Sequence, residues 1–133
     1  MRVADLMRSD VKTVSPSTPV SEIVQLMADA HISGVPVVGT DGALVGVVSA
    51  TDVLEAAADR EDERARTDLF ENTTARDLMT SQPLTVAANA DVREAAQQML
   101  YAEVKRLFVE DAGRLVGVVS QTDIAYAVGT GRI

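Results

Sequence analysis

The chain has 133 residues, 47% apolar and only 3% aromatic, with a net charge of −8 and no cysteine. That length suits one compact domain or two small interlocked halves, with a core of Val, Leu, Ile, Ala and Met. The charge argues against nucleic-acid binding, which needs basic stripes; the missing cysteines exclude disulfides and thiolate metal sites, and no apolar run nears the roughly 20 residues of a membrane span. A soluble protein of a reducing cytoplasm, with no membrane contact, is expected.

The first predicted element is a helical turn at Asp5-Leu6-Met7. Residues 11–16 (VKTVSP) read as a short extended segment that breaks at proline. Residues 19–32 follow with Ile23, Leu26, Met27 and Ala30 at i, i+3, i+4 and i+7, the stripe of an amphipathic helix. Thr18 and Ser21 are its candidate N-caps. A short strand over 34–39 (GVPVVG), an Asp-Gly turn at Asp41-Gly42 and a β-branched strand over 44–50 (LVGVVSA) form a predicted hairpin. A second helix begins at Thr51. The stretch 55–76 is dense in charge and reads as a solvated helix end and linker; Leu69 and Phe70 interrupt the charges and are expected to dock on the body.

The rest of the chain repeats the first part. Displaced by 72 positions, 4–7 (ADLM) meets 76–79 (RDLM), Val14 meets Val86, 20–27 meets 92–99, and 35–38 meets 107–110. After one residue is lost in a loop, 44–54 (LVGVVSATDVL) meets 115–125 (LVGVVSQTDIA). Each half therefore reads strand, helix, strand, strand, helix. A unit of about 50 residues buries too little surface to be stable alone, so two copies are expected to pack together.

Asp-Leu-Met, a Val-Pro-Val-like strand and Gly-Val-Val-Ser-x-Thr-Asp, each present in two copies, resemble a tandem pair of cystathionine-β-synthase (CBS) domains, a Bateman module. The resemblance covers essentially the whole chain. It implies a mixed α/β (α+β) fold of two βαββα repeats packed with pseudo-two-fold symmetry and clefts between them. The expected domains are residues 1–60 and 74–133, joined by a charged linker at 61–73. It also implies a stand-alone regulatory module, not an enzyme, that binds an adenosine-containing ligand such as AMP, ADP, ATP or S-adenosylmethionine and needs no other cofactor. Occupancy would be relayed by conformation to a protein partner, and such modules commonly form homodimers. The alternative is a ligand-independent scaffold for dimerisation or protein interaction.

Carried onto this chain, the resemblance gives Ser49 and Ser120 to a phosphate, and Asp52 and Asp123 to ribose hydroxyls, with Thr51 and Thr122 as weaker candidates. Physically, a serine at a strand-to-helix turn adds a hydroxyl to free helical N–H groups, while a carboxylate in the first turn repels phosphate and suits sugar hydroxyls. The same Ser-x-x-Asp pattern is also a capping box that needs no ligand. Thr13, Val14, Val35 and Pro36 in one half, and Thr85, Val86, Leu107 and Phe108 in the other, resemble the family's base-contacting positions. Lys105 and Arg106, the one adjacent basic pair, are candidate phosphate ligands of the second site. That site is expected to take phosphorylated ligands, and the first to be empty or to take an uncharged adenosyl compound. His31, the single histidine, is placed at a helix end as a cap. No catalytic or metal-ligating set is expected.

Overall fold

The computed structural model describes all 133 residues. They gather into two compact units whose limits cut across the repeats. One is Lys12–Pro83; the other joins Met1–Val11 to Leu84–Ile133. The mixed α/β class expected from the repeat is the observed one, with a three-stranded sheet in each unit. No helix is long and apolar enough to cross a membrane.

In the unit Lys12–Pro83, helix α1 (Val20–Ala30) buries Val20, Ile23 and Met27 on one face. Neither Thr18 nor Ser21 caps it: Pro19 is the N-cap residue and makes no side-chain cap bond. The Val20 N–H is satisfied instead by the Thr73 carbonyl at 3.0 Å. Thr18 turns back, its Oγ1 accepting from the Ser15 N–H at 3.0 Å to close the preceding turn. Strands β1 (Gly34–Val38) and β2 (Leu44–Ser49) pair antiparallel as the Asp-Gly turn predicts, with Gly34 opposite Ser49. The segment around Val14 joins β1 only through an isolated parallel bridge to Val37. Helix α2 (Ala50–Ala58) follows directly from β2.

The charged stretch is more than a linker. It forms helix α3 (Glu63–Asn72), capped by Asp62, whose carboxylate accepts from the Ala65 N–H. Leu69 is fully buried, and Phe70 packs against the core of this unit, as expected for the apolar pair that interrupts the charges. Helix α4 (Ala75–Leu78) is the second Asp-Leu-Met turn. It leads into β3 (Thr80–Ser81), which adds to the free edge of β2. Nothing in the residue pattern marks a strand at these two positions.

The second unit mirrors the first. A 3-10 turn at Val3–Asp5 precedes Arg8, which bridges Val118. Strand β4 (Thr85–Ala87) runs parallel to β5 (Arg106–Asp111), and β5 pairs antiparallel with β6 (Arg114–Ser120). Helix α5 (Val92–Ala102) buries Val92, Ala95 and Met99; helix α6 (Gln121–Gly129) buries Ile124 and Ala127.

The glycines of the repeated phrase record how the repeats exchange their first turns. A Cβ on Gly46 would lie 2.6 Å from Met79 Sδ and 2.9 Å from the Thr80 carbonyl oxygen. A Cβ on Gly117 would lie 2.7 Å from both Met7 Sδ and the Arg8 carbonyl oxygen. Each glycine thus admits the chain that follows the other repeat's Asp-Leu-Met turn. Val3 and Ala75 drive the same exchange, each fully buried in the core of the unit it joins.

Candidate ligand-binding site

Ser49 and Ser120 both stand at a strand-to-helix junction, the N-caps of α2 and α6. Both form complete capping boxes. Ser49 Oγ accepts from the Asp52 N–H at 3.1 Å, and Asp52 Oδ2 accepts from the Ser49 N–H at 2.8 Å. The second copy gives 3.0 and 3.1 Å for the same bonds between Ser120 and Asp123. The capping role is therefore realised without any ligand. It also aims the serine hydroxyl and the carboxylate along the helix end, where the first turn has spare donors. The N–H of Ala50 donates to the Ser33 carbonyl at 2.8 Å, and that of Gln121 to the Lys105 carbonyl at 2.9 Å. The next amides, of Thr51 and Thr122, have no carbonyl acceptor among the cap bonds, and both threonines are exposed.

The two junctions differ in what surrounds them. Opposite Ser120 in the β5–β6 ladder stands Arg106, preceded by Lys105; both are exposed. Opposite Ser49 stands Gly34, preceded by Ser33. Two residues before Ser120, the backbone of Val118 exchanges hydrogen bonds with Arg8 at 2.8 and 2.9 Å. From there Arg8 Nη2 reaches Asp123 Oδ1 at 3.3 Å; the Arg8 side chain is 70% exposed and that of Asp123 only 13%. The corresponding partner of Val47 is Thr80, which is neutral. Three cationic residues therefore stand beside the α6 N-terminus, Lys105 and Arg106 through their place in the ladder and Arg8 through its side chain, and the matching positions beside α2 are uncharged.

Arg8 escaped the sequence reading, because it lies 115 positions from Asp123. The one available signal was the contrast between Met7-Arg8 and Met79-Thr80 in otherwise matching turns.

The residues compared with base contacts divide. Val35 and Leu107 are fully buried in the two cores, Val86 and Phe108 nearly so, and Pro36 is also buried. Their side chains fill the interior, so a ligand would meet these strands through backbone edges and neighbours. The Pro36 carbonyl is already engaged by the Val14 N–H at 3.1 Å, and the Thr85 carbonyl by Gln98 Nε2 at 3.1 Å. Val14 and Thr85 are partly exposed and Thr13 is exposed. His31 ends α1 in the left-handed conformation (φ 55°), with its N–H donating to the Met27 carbonyl. Its role there is to terminate the helix.

Two sheets assembled from exchanged turns, each feeding a Ser-x-x-Asp helix cap, define a tandem pair of CBS domains. The CBS domain family matches residues 3–59 and 75–130, and the chain belongs to it. Among its relatives is the chloroplastic CBS domain-containing protein CBSX2 of Arabidopsis thaliana, 29% identical over 94% of this chain and 62% of that protein. The crystal structure of CBSX2 in complex with AMP superposes with a TM-score of 0.82, covering 99% of this chain and 98% of that one at 29% identity. Homoserine O-acetyltransferase of Methanohalophilus mahii is 30% identical over 98% of this chain, which accounts for only 25% of that enzyme. The chain thus spans less than two thirds of these curated relatives.

Proposed function

We propose that this CBS pair is a regulatory module that binds a phosphorylated adenosine nucleotide at the N-terminus of α6. The observation that carries the reading is the cationic border of Lys105, Arg106 and Arg8 around the Ser120–Asp123 capping box. A phosphate there would accept from the Ser120 hydroxyl, the Thr122 N–H and the basic side chains, at the positive end of a helix dipole. Asp123 suits the ribose hydroxyls. The AMP bound in the CBSX2 crystal structure supports the adenosine class. The Ser49–Asp52 junction, lacking that border, suits an uncharged adenosyl compound.

The binding does not require chemistry at the ligand: the capping carboxylates are engaged in structure, and the module's output is a change of conformation or association. A ligand shifts such an equilibrium only by the difference of its affinities for the two states. Large apolar side chains exposed on α5 and α6, Leu100 at 72%, Tyr101 at 94% and Tyr126 at 69%, support self-association as part of that output.

Thermal denaturation and calorimetric titration with AMP, ADP, ATP and S-adenosylmethionine test the reading. A ligand that binds only the native state stabilises by about 2.7 kcal/mol at 100 Kd, a shift of several degrees for a chain of this size. In an Asp52→Asn background, which silences the other junction, Asp123→Ala should abolish the AMP shift. Absence of any shift, with association intact, would identify a ligand-independent scaffold instead.

A further inference from the structure

Asp123 and Asp52 occupy equivalent positions, yet only Asp123 is paired with a cation. In both, Oδ2 accepts from the capping serine's own N–H. In Asp123 the second oxygen is held by Arg8, whereas Asp52 Oδ1 has no such cation near it. A ribose diol donating to Asp123 must compete with a guanidinium for that oxygen. From this we infer that Arg8 sets the specificity of the Ser120–Asp123 site, excluding bare nucleosides and admitting nucleoside phosphates. The inference rests on the nucleotide reading above and deepens it.

The mechanism follows from charge and from where Arg8 is anchored. Its main chain is clamped to Val118 by two hydrogen bonds, so the residue cannot drift from the site. Its side chain is mostly solvent-exposed, so the guanidinium can swing without moving the backbone. A neutral nucleoside would break the Arg8–Asp123 pair and offer no charge in return. A phosphate group gives the guanidinium a bidentate anionic partner in place of the carboxylate. Arg8 then moves from Asp123 to the phosphate, and the freed Oδ1 receives the sugar. In the other unit Thr80 stands where Arg8 does, and nothing there separates a nucleoside from its phosphate.

The test compares adenosine and AMP by calorimetry in an Asp52→Asn background, which isolates the second site. The parent should bind AMP about 10- to 100-fold more tightly than adenosine, the range of charge-assisted hydrogen bonds. In Arg8→Ala, adenosine should bind several-fold better and AMP about 10-fold worse, so the ratio approaches unity. Arg8→Lys, which keeps charge but loses the planar fork, should fall between. Salt supplies a readout that needs no variant at position 8. Raising ionic strength screens the exposed pair, so adenosine binding should strengthen while AMP binding weakens. AMP binding with an adenosine-to-AMP ratio unmoved by Arg8→Ala, or equal loss of both ligands, would overturn the role of Arg8 and leave the nucleotide site standing. Parent protein that binds neither compound would take down the nucleotide reading and this inference together.

Discussion

Four residues that are not glycine sit in the left-handed region; one is Gln82 (φ 55°), and the other three end a helix or close a hairpin. His31 (φ 55°) and Glu103 (φ 58°) end α1 and α5 at matching repeat positions. Ala112 (φ 53°) precedes Gly113 (φ 76°) in the tight β5–β6 turn, where both central residues need positive φ. A Cβ in this region costs up to about 1 kcal/mol, which glycine avoids and asparagine reduces. His31→Gly, Glu103→Gly and Ala112→Asn should each stabilise the ligand-free protein by about 0.5–1 kcal/mol. Urea unfolding checks this. A loss of stability in His31→Gly would mean that the imidazole makes a contact beyond ending the helix.

At the level of elements, the repeated Gly-Val-Val-Ser strand serves two partners. Its end caps a helix, and its middle accepts the other repeat's Asp-Leu-Met turn. That second duty explains Gly46 and Gly117 without any ligand. The contact at Gly117 includes the Arg8 backbone as well as the flexible Met7 side chain, so a methyl group cannot be absorbed by a rotamer change. Gly117→Ala should cost about 1–3 kcal/mol, the usual range for overpacking, and trimming Met7 to alanine as well should leave most of the loss in place. Full recovery in the Met7→Ala/Gly117→Ala double variant would show that the sulfur, and not the backbone, sets the limit. Because Arg8 is held by the same bridge, Gly117→Ala should also disturb the ion pair to Asp123.

Across the whole molecule, each unit closes its core with a segment borrowed from the other repeat: Val3 in one, Ala75 in the other. Neither repeat could be excised between residues 61 and 73 without opening both cores. The exposed apolar side chains of α5 and α6 carry a prediction at the same scale. The native mass in solution should be that of a dimer or higher. Tyr101→Glu combined with Tyr126→Glu should yield a folded monomer, as read by light scattering and far-ultraviolet circular dichroism. A parent protein that is monomeric at all concentrations would remove association from the proposed output.

The repeat, the element types and the Ser-x-x-Asp caps were legible in the order of residues, because periodicity, turn chemistry and capping are local properties of the chain. Ile23 and Met27 announce the buried face of α1; Asp41-Gly42 announces its hairpin; Ser120 and Asp123 announce a helix start. Leu69 and Phe70, interrupting the charges, likewise announced a docked apolar pair, but not that the stretch forms a helix of its own. Which cap Arg8 would border was not legible. That contact depends on an antiparallel bridge between residues far apart in sequence, and it follows from the exchange of first turns. Nor was the consecutive burial of Val35, Pro36 and Val37 in β1 and of Leu107, Phe108 and Val109 in β5, which arises only once both faces of each sheet are covered. The sequence alone determined the family, the repeated architecture and two candidate helix caps. Tertiary structure decided that the two caps are unequal, because electrostatics acts through space and only the folded chain brings Arg8 to Asp123 and sets Arg106 opposite Ser120.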